Sequence, residues 1–522
     1  MLSDPDIRVV ADITRVHAQK RPDIVAIVFE GRETTYAELD RRASRVANGL
    51  IDAGLKPECR VAVLDKNTDS FFEVLFGAAK ADCVLVAVNW RLAPPEIAYI
   101  INDSTAEVLF VGEEFFPVIE KVRDELKNVN KIITLSGTHE RWEAYEHWRD
   151  AQKEDDPHLK VVSDNVVLQM YTSGTTGRPK GAQLTNDNLL SLLPTSLAEW
   201  GAWGDRDVNL VCMPVFHIGG SGYALVGFYA GIKTVLLREP NCDLILKLIS
   251  EHSVTKAFFV PALLLFLLQT PGIEGTDLSS LDLIFYGASP IPLDLLRNAM
   301  QRFGCKFAQV YGLTETTGAI TYLPPEDHDP NGNLRMRSCG KSHGMVEIRV
   351  VNLEGTPLPA GEVGEIICRS RQNMKGYWNL PEETQRTIRG EWCYTGDAGY
   401  LDEDGFLYIH DRVKDMIVSG GENIYPAEVE SVLFGHPAVA DVAVIGVPDD
   451  RWGEAVKAIV VKKPGVEVEG AEIIAYARDR IAHYKAPKSI DFIEALPRNP
   501  SGKILKRELR KPYWEGRDRQ VN

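Results

Sequence analysis

The sequence predicts an α/β protein: a large N-terminal domain of α/β subdomains with a small β-rich lobe, then a small α+β C-terminal domain. Three patterns carry that expectation. Through the first two thirds, short apolar runs alternate with amphipathic helical stretches, the pattern of largely parallel sheets covered by helices. From 346 to 409, short strands are separated by turns such as Asn352-Leu353-Glu354-Gly355 and Asp402-Glu403-Asp404-Gly405. Beyond 411–415 a compact mixture of helices and strands starts afresh.

Taken in order, Thr35-Tyr36-Ala37-Glu38-Leu39 opens a helix carrying Leu39, Ala43, Val46 and Leu50 on one face. Apolar runs at 61–64, 83–88, 108–111, 166–170, 208–213, 234–237, 257–260, 283–286 and 308–311 read as strands. Amphipathic helices fall between several of them, at 244–252 and 293–303 for example. The apolar stretch 257–268 is broken by Pro261 and is too short to span a bilayer, so it reads as a strand running into a buried helix. The last part shows a helix near 427–434, strands at 442–447 and 458–461, a helix at 471–483 and a strand at 491–493. The expected domains are therefore 1–411 and 412–522. There is no internal repeat and no low-complexity segment.

The 522 residues are too many for one small core, and 44% hydrophobic with 25% charged residues is ordinary for a soluble globular protein. A net charge of −16 argues against a general nucleic-acid or membrane-surface role. A phosphate-rich substrate must then be gripped by a few local donors. Cys59, Cys83, Cys212, Cys242, Cys305, Cys339, Cys368 and Cys393 show no C-x-x-C spacing, so neither a zinc site nor a disulfide framework is expected. Residues 1–6 lack the basic and apolar regions of a secretory signal, and Gln520-Val521-Asn522 is not a peroxisomal tripeptide. The expectation is a cytoplasmic protein without a transmembrane segment, with peripheral membrane contact and homo-oligomerisation left open.

The densest chemical signal is Tyr171-Thr172-Ser173-Gly174-Thr175-Thr176-Gly177-Arg178-Pro179-Lys180-Gly181, directly after the apolar run 166–170. Glycines let amide N–H groups approach a phosphate, hydroxyls donate to its oxygens, and lysine adds a point charge. The spacing is not the G-x-x-x-x-G-K-[ST] of common nucleotide triphosphatases, since Arg178-Pro179 precedes Lys180 and Gly181 follows it. Further motifs recur in order: Pro214-Val215-Phe216-His217-Ile218-Gly219, Tyr286-Gly287-Ala288-Ser289-Pro290 and Tyr311-Gly312-Leu313-Thr314-Glu315-Thr316. Tyr394-Thr395-Gly396-Asp397, Asp411-Arg412-Val413-Lys414-Asp415, Gly420-Gly421-Glu422-Asn423 and Pro500-Ser501-Gly502-Lys503 complete the series.

Across roughly residues 36–510 this series resembles the adenylate-forming superfamily of acyl-CoA synthetases, standalone adenylation domains and firefly-type luciferases. The resemblance implies a pyrophosphate grip from Thr172, Ser173, Gly174, Thr175, Thr176, Gly177 and Lys180. It places adenine against Gly287, Ala288, Ser289 and Tyr311-Gly312, the α-phosphate at Thr314 and Mg²⁺ at Glu315. One carboxylate added to phosphate oxygens is ordinary magnesium ligation. Asp397 and Arg412 are expected at the ribose, Lys503 bridging carboxylate and α-phosphate, and Lys414 at the hinge of a mobile C-terminal domain. Gly420, Gly421 and Glu422 fall on the thioester-stage surface. The family commonly has Gly-Gly-Ala-Pro where Tyr286 to Ser289 stand here, and histidine where Asn186 stands.

The implied reaction turns a carboxylate and MgATP into acyl-adenylate and pyrophosphate, after which a thiol, first of all that of coenzyme A, releases AMP. His217 would stand beside the reacting carboxylate. Amino-acid-activating relatives carry aspartate after the phenylalanine, so His217 after Phe216 argues against an amino acid. The first expectation is an acyl-CoA synthetase for a medium- or long-chain fatty acid. Rivals are an aryl or arylpropenoic acid ligase, an adenylation enzyme loading a carrier protein in trans, a luciferase-like monooxygenase, and a non-catalytic acyl or nucleotide sensor. Retention of Lys180, Glu315, Asp397, Arg412 and Lys503 together speaks against the sensor.

Overall fold

The computed structural model describes residues 4–172, 178–201, 203–352, 354–412, 415–419, 422–449, 451–498 and 504–515. Two large sheets dominate. A nine-stranded sheet has Leu283–Gly287 and Lys306–Leu313 as neighbours, flanked by Gly318–Leu323 on one side and by Lys256–Phe259, then Val208–Val211, on the other. An eight-stranded sheet runs from Gly376–Tyr377 through Lys180–Thr185, Val166–Thr172 and Val84–Ala87 to Arg60–Leu64 and beyond. Most central neighbours in both are parallel, so their residues are buried on both faces and read as continuous apolar runs.

Helices join the two sheets into one core. Tyr36–Asp52 buries Leu39, Ala43, Val46 and Leu50 completely, as its apolar stripe predicts, and Thr35 accepts from the Glu38 amide at 3.2 Å to cap it. Ile218–Ala230 packs Phe228 against Phe72 of the helix Asp69–Lys80, with ring centroids 4.9 Å apart. Pro261 sits at the first turn of Pro261–Gln269, where its missing N–H costs nothing. Asn186, the departure from the family pattern, accepts from the Val10 amide at 2.8 Å and so ties the N-terminal helix to the start of the helix Asn186–Glu199.

The β-rich lobe pairs Glu347–Val351, Gly364–Arg369, Trp392–Leu401 and Leu407–Arg412 as antiparallel strands. The C-terminal part has its own sheet, with Val439–Asp449 antiparallel to Gly453–Lys462 and Ser489–Phe492 parallel to it. Separate apolar clusters stabilise it, one around Val444, Val456 and Leu433 and one around Ile445 and Leu496. The helix expected over 471–483 is Gly470–Arg478, and the chain then turns back to reach the parallel strand. Among the described residues, no helix is long and apolar enough to cross a membrane.

Two buried histidines couple this core to pH. His17 bonds the Tyr229 carbonyl through Nε2 at 3.1 Å, and burial pushes its pKa down to about 4. His328 lies 2.9 Å from the Pro324 carbonyl through Nδ1 and 3.0 Å from the Tyr286 hydroxyl through Nε2, and burial lowers it to about 4 as well. Since the unfolded value lies near 6.5, the unfolded chain takes up protons first, and stability is full above about 6.5 and is lost towards about 4. Denaturant unfolding at pH 5 is expected to give a stability lower than at pH 7 by roughly 2 kcal/mol for each histidine. His17→Gln and His328→Gln should each flatten that pH dependence.

Candidate active site

The strand Val166–Thr172 returns antiparallel as Lys180–Thr185, with Thr172 opposite Lys180 in register. The glycine-rich run thus connects two neighbouring antiparallel strands in sequence. Ser173, Gly174, Thr175, Thr176 and Gly177 lie outside the described residues. Lys180 is buried and forms an ion pair with Glu383, and the Tyr377 ring lies 5.1 Å from its ammonium. The bond to Lys180 holds the Glu383 carboxyl below its usual range.

Tyr311-Gly312 lies near the end of the strand Lys306–Leu313, at the C-terminal edge where ligands bind in α/β sheets. Register shifts between Tyr311 and Gly312, and a Cβ at Gly312 would stand 1.7 Å from the Gly318 carbonyl oxygen. Only glycine fits there. The Leu313 amide donates to Thr316 Oγ1 at 2.9 Å, and Thr316 donates in turn to the Gly318 carbonyl at 2.7 Å. Gln372 donates to the Ala319 carbonyl at 2.8 Å, and the Met374 amide to that of Glu315 at 2.8 Å. This strap fixes the 314–319 turn.

The Glu315 side chain is thereby held where both large sheets meet. Its Oε1 accepts from Thr172 Oγ1 at 3.2 Å and from the Tyr377 hydroxyl at 2.7 Å. One carboxylate beside hydroxyls and a glycine-rich hairpin fits a magnesium ion delivered on phosphate oxygens. No group of three histidine, cysteine or acidic side chains that could hold a metal occurs among the described residues.

Tyr311 donates to Asp397 Oδ2 at 2.8 Å, and burial pushes the Tyr311 hydroxyl pKa well up. Arg412 stands opposite Asp397 in the paired strands, so the β-rich lobe faces the site through this pair of positions. Gly287 ends its strand with its Cβ position 2.2 Å from the Val310 carbonyl oxygen, and Ala288 takes φ +66°, a left-handed conformation rare for alanine. Ser289 follows in the same loop. Gly287-Ala288-Ser289 and Tyr311-Gly312 thus share one edge of the nine-stranded sheet.

His217 caps Ile218–Ala230, and its backbone carbonyl accepts from the Gly220 amide at 2.9 Å. Its Nε2 is buried with no hydrogen-bond partner among the described residues. Burial, then the charge of Arg91, pushes its pKa down to about 4, so the ring is neutral at pH 7. Sequence reasoning missed Asn67, which clamps this turn: its amide donates to the carbonyls of Met213 at 3.1 Å and Leu237 at 2.9 Å and accepts from the Val215 amide at 3.0 Å. It also missed Tyr377, Glu383 and Gln372. Their only signal was nearness to the Gly376-Tyr377-Trp378 run, which carries no chemistry by itself. Lys414, Gly420, Gly421 and Lys503 lie outside the described residues, and Glu422 is described only as part of the strand Glu422–Ile424.

The AMP-binding enzyme model matches residues 14–378, and the AMP-binding enzyme C-terminal domain model matches residues 428–503. The chain belongs to the AMP-binding enzyme family. It is 41% identical to a fatty acid–[acyl-carrier-protein] ligase, ScoC, of Streptomyces coeruleorubidus, over 100% of this chain and 99% of that one. It is 39% identical to a feruloyl-CoA synthase of an Amycolatopsis species, over 95% of this chain and 97% of the relative. The solved anthranilate CoA ligase AuaEII in complex with anthranoyl-AMP superposes with a TM-score of 0.90 at 29% identity, covering 98% of both chains. This AMP-binding enzyme is thus an adenylate-forming acid–thiol ligase with the fold expected from its sequence.

Asn67→Ala would remove the bonds to the Met213 carbonyl and Val215 amide of the turn before His217 and to the Leu237 carbonyl beyond the strand Lys233–Leu236. The expected loss is about 2–3 kcal/mol in denaturant unfolding. Acid-dependent ATP–pyrophosphate exchange should fall further than that instability explains at a temperature where the variant stays folded.

Proposed function

We propose that this enzyme activates a free carboxylic acid with ATP to an acyl-adenylate and pyrophosphate, then transfers the acyl group to the thiol of coenzyme A with release of AMP. The observation that carries the reading is the convergence of Thr172 and Tyr377 on Glu315 at the foot of the glycine-rich hairpin. In it, Glu315 holds the magnesium that accompanies the triphosphate, and Lys180 exchanges Glu383 for phosphate oxygens. Tyr311 and Asp397 receive the adenosine, with Arg412 on the facing strand at the ribose. Thr314 meets the α-phosphate. His217, neutral and with no partner at Nε2 among the described residues, stands beside the carboxylate without adding a charge that would compete with the lysines.

The proposed boundary at 411–415 separates residues 1–411 from a C-terminal domain of 412–522, whose separate apolar clusters suit a unit that moves as one body. Lys503 supplies positive charge between carboxylate and α-phosphate in the first step, and rotation about Lys414 replaces it with the Gly420–Glu422 surface in the second. The acid remains a medium- or long-chain fatty acid or an aromatic one at this level. A carrier-protein acceptor is the second reading, favoured by the full-length likeness to a relative named as a fatty acid–acyl-carrier-protein ligase.

ATP–pyrophosphate exchange across fatty and aromatic acids tests the first step, and AMP release with CoA against a carrier protein bearing pantetheine tests the second. Absence of exchange with every acid would return a non-catalytic sensor. Lys503→Ala is expected to lower exchange by about 10²-fold or more while sparing thioester formation from supplied acyl-adenylate. Unchanged exchange would sink the assignment. Lys414→Pro should impair thioester formation more than adenylation, because proline freezes φ at the pivot. Equal loss of both steps counts against that hinge.

A further inference from the structure

Tyr171 and Gly181 stand at the two ends of the glycine-rich motif and are not among the residues assigned to phosphate. They face each other in register, one pair behind Thr172 and Lys180. Packing requires the glycine: a Cβ at Gly181 would stand 2.6 Å from Gln169 Nε2 and 3.1 Å from the Tyr171 ring. Gln169 and Tyr171 lie two positions apart on one strand and so share a face. Gln169 Nε2 donates to the Tyr171 hydroxyl at 3.1 Å, and that hydroxyl donates to Asp103 Oδ2 at 2.6 Å. Burial, then the Asp103 carboxylate, push the Tyr171 pKa well up, so the hydroxyl keeps its proton.

Asp103 is the last residue of the helix Pro94–Asp103. The helix dipole opposes a carboxylate at a C-terminus, so local helix preference does not account for it. The residue serves the strand pair twice. Its side chain accepts from Tyr171, and its carbonyl accepts from the Trp378 indole at 2.8 Å, while the Trp378 amide donates to the Gly181 carbonyl at 2.8 Å. The Arg60 guanidinium carbon lies over the Trp378 ring, 3.5 Å from its centre, and Arg60 Nε donates to Gln169 Oε1 at 3.4 Å, which closes the circle. One turn before Asp103, on the same helix face, Tyr99 donates to the Pro179 carbonyl at 3.3 Å. The helix is thus bonded on both sides of the motif, at Tyr171 beside Thr172 and at Pro179 beside Lys180.

We propose that Asp103 is a positioning residue for the triphosphate: through Tyr171, and with Tyr99 beside it, it sets where Thr172 and Lys180 stand relative to Glu315. This rests on the ligase reading above. Thr172 Oγ1 donates to Glu315 at 3.2 Å, so a shift at Tyr171 moves that hydroxyl against the carboxylate assigned to magnesium. The two strands are paired through their backbones along their whole length, so loss of the Asp103 carboxylate leaves them paired but free to shift. Groups that orient a substrate lose rate steeply when displaced by small distances.

The test is ATP–pyrophosphate exchange with whichever of hexanoate, dodecanoate and cinnamate exchanges fastest, with KM for MgATP and KM for the acid read separately. Asp103→Ala is expected to raise the KM for MgATP about tenfold and to leave the KM for the acid within about twofold. Asp103→Asn, whose amide oxygen still accepts from the Tyr171 hydroxyl, should restore most of the MgATP value. Tyr171→Phe should match Asp103→Ala, and the double variant should be no worse than either, since each removes the same bond. An unchanged KM for MgATP, equal rises in both KM values, or a double variant whose loss is the product of the single losses would overturn the proposal and leave the ligase intact. Should Asp103→Ala fail to fold, Tyr171→Phe decides by the same readings. Absence of exchange with every acid in the native enzyme would remove the ligase reading and this proposal with it.

Discussion

Everything at the candidate site depends on a single carboxylate being held between two sheets. Glu315 follows a strand of the nine-stranded sheet, while Thr172 and Tyr377, which donate to it, belong to strands of the eight-stranded one. A carboxylate so placed fixes where the two sheet edges approach, and with them Thr172, the neighbouring strand that carries Lys180 and the turn after Tyr311. The hydrogen bonds are individually ordinary, worth about 1.5–3 kcal/mol where one partner is charged. Their weight comes from position. They join elements 143 and 62 residues apart in the chain, so losing them loosens the cleft rather than one loop.

The rest of the site is arranged around that carboxylate by backbone that admits few alternatives. Gly312 and Gly287 each lie where a Cβ would overlap a neighbouring carbonyl, and Gln372 and Met374 pin the turn from outside. The β-rich lobe enters through Asp397, which accepts from Tyr311. Three sheets therefore contribute to one cleft. Such a cleft keeps its shape when substrates bind, because reshaping it would break strand pairing rather than rotate side chains. Motion in the proposed two-step cycle is left to the C-terminal part, which is stabilised by apolar clusters of its own.

The alternation of apolar runs and helical stripes was enough to place nine strands of the two sheets, because parallel strands buried on two faces leave an unbroken apolar signature, whereas Val25–Phe29, Lys131–Thr134, Lys180–Thr185 and Gly318–Leu323 were not read. The stripe Leu39, Ala43, Val46 and Leu50 was equally legible. Motif residues such as Glu315, Tyr311 and Asp397 were readable because glycine and small hydroxyl neighbours set them apart. Asn67, Tyr377, Glu383 and Gln372 were not. Each acts on a partner more than 50 residues away, and side chains that satisfy distant backbone or charge leave no periodic trace. The aromatic contacts around Phe285 were hidden for the same reason. The Trp200–Trp203 segment, Tyr223 and Phe285 lie on three separate stretches that only the fold brings together.

Polar atoms buried without partners are costly, at about 1–3 kcal/mol each, and a fold spared that cost would be more stable. His217 Nε2 precedes the helix Ile218–Ala230, and the Tyr223 hydroxyl on that helix lies near the Trp203 indole, all three buried without a partner among the described residues. The Tyr171 hydroxyl is the opposite case, since it accepts from Gln169 and donates to Asp103. A hydroxyl answered on both sides is held in one orientation, and the strand that carries it is held with it. Groups fixed in this way before a substrate arrives express their energy as orientation, which raises the rate of the chemical step. The proposed role of Asp103 therefore ties the internal bonds of this strand pair to the alignment of the triphosphate.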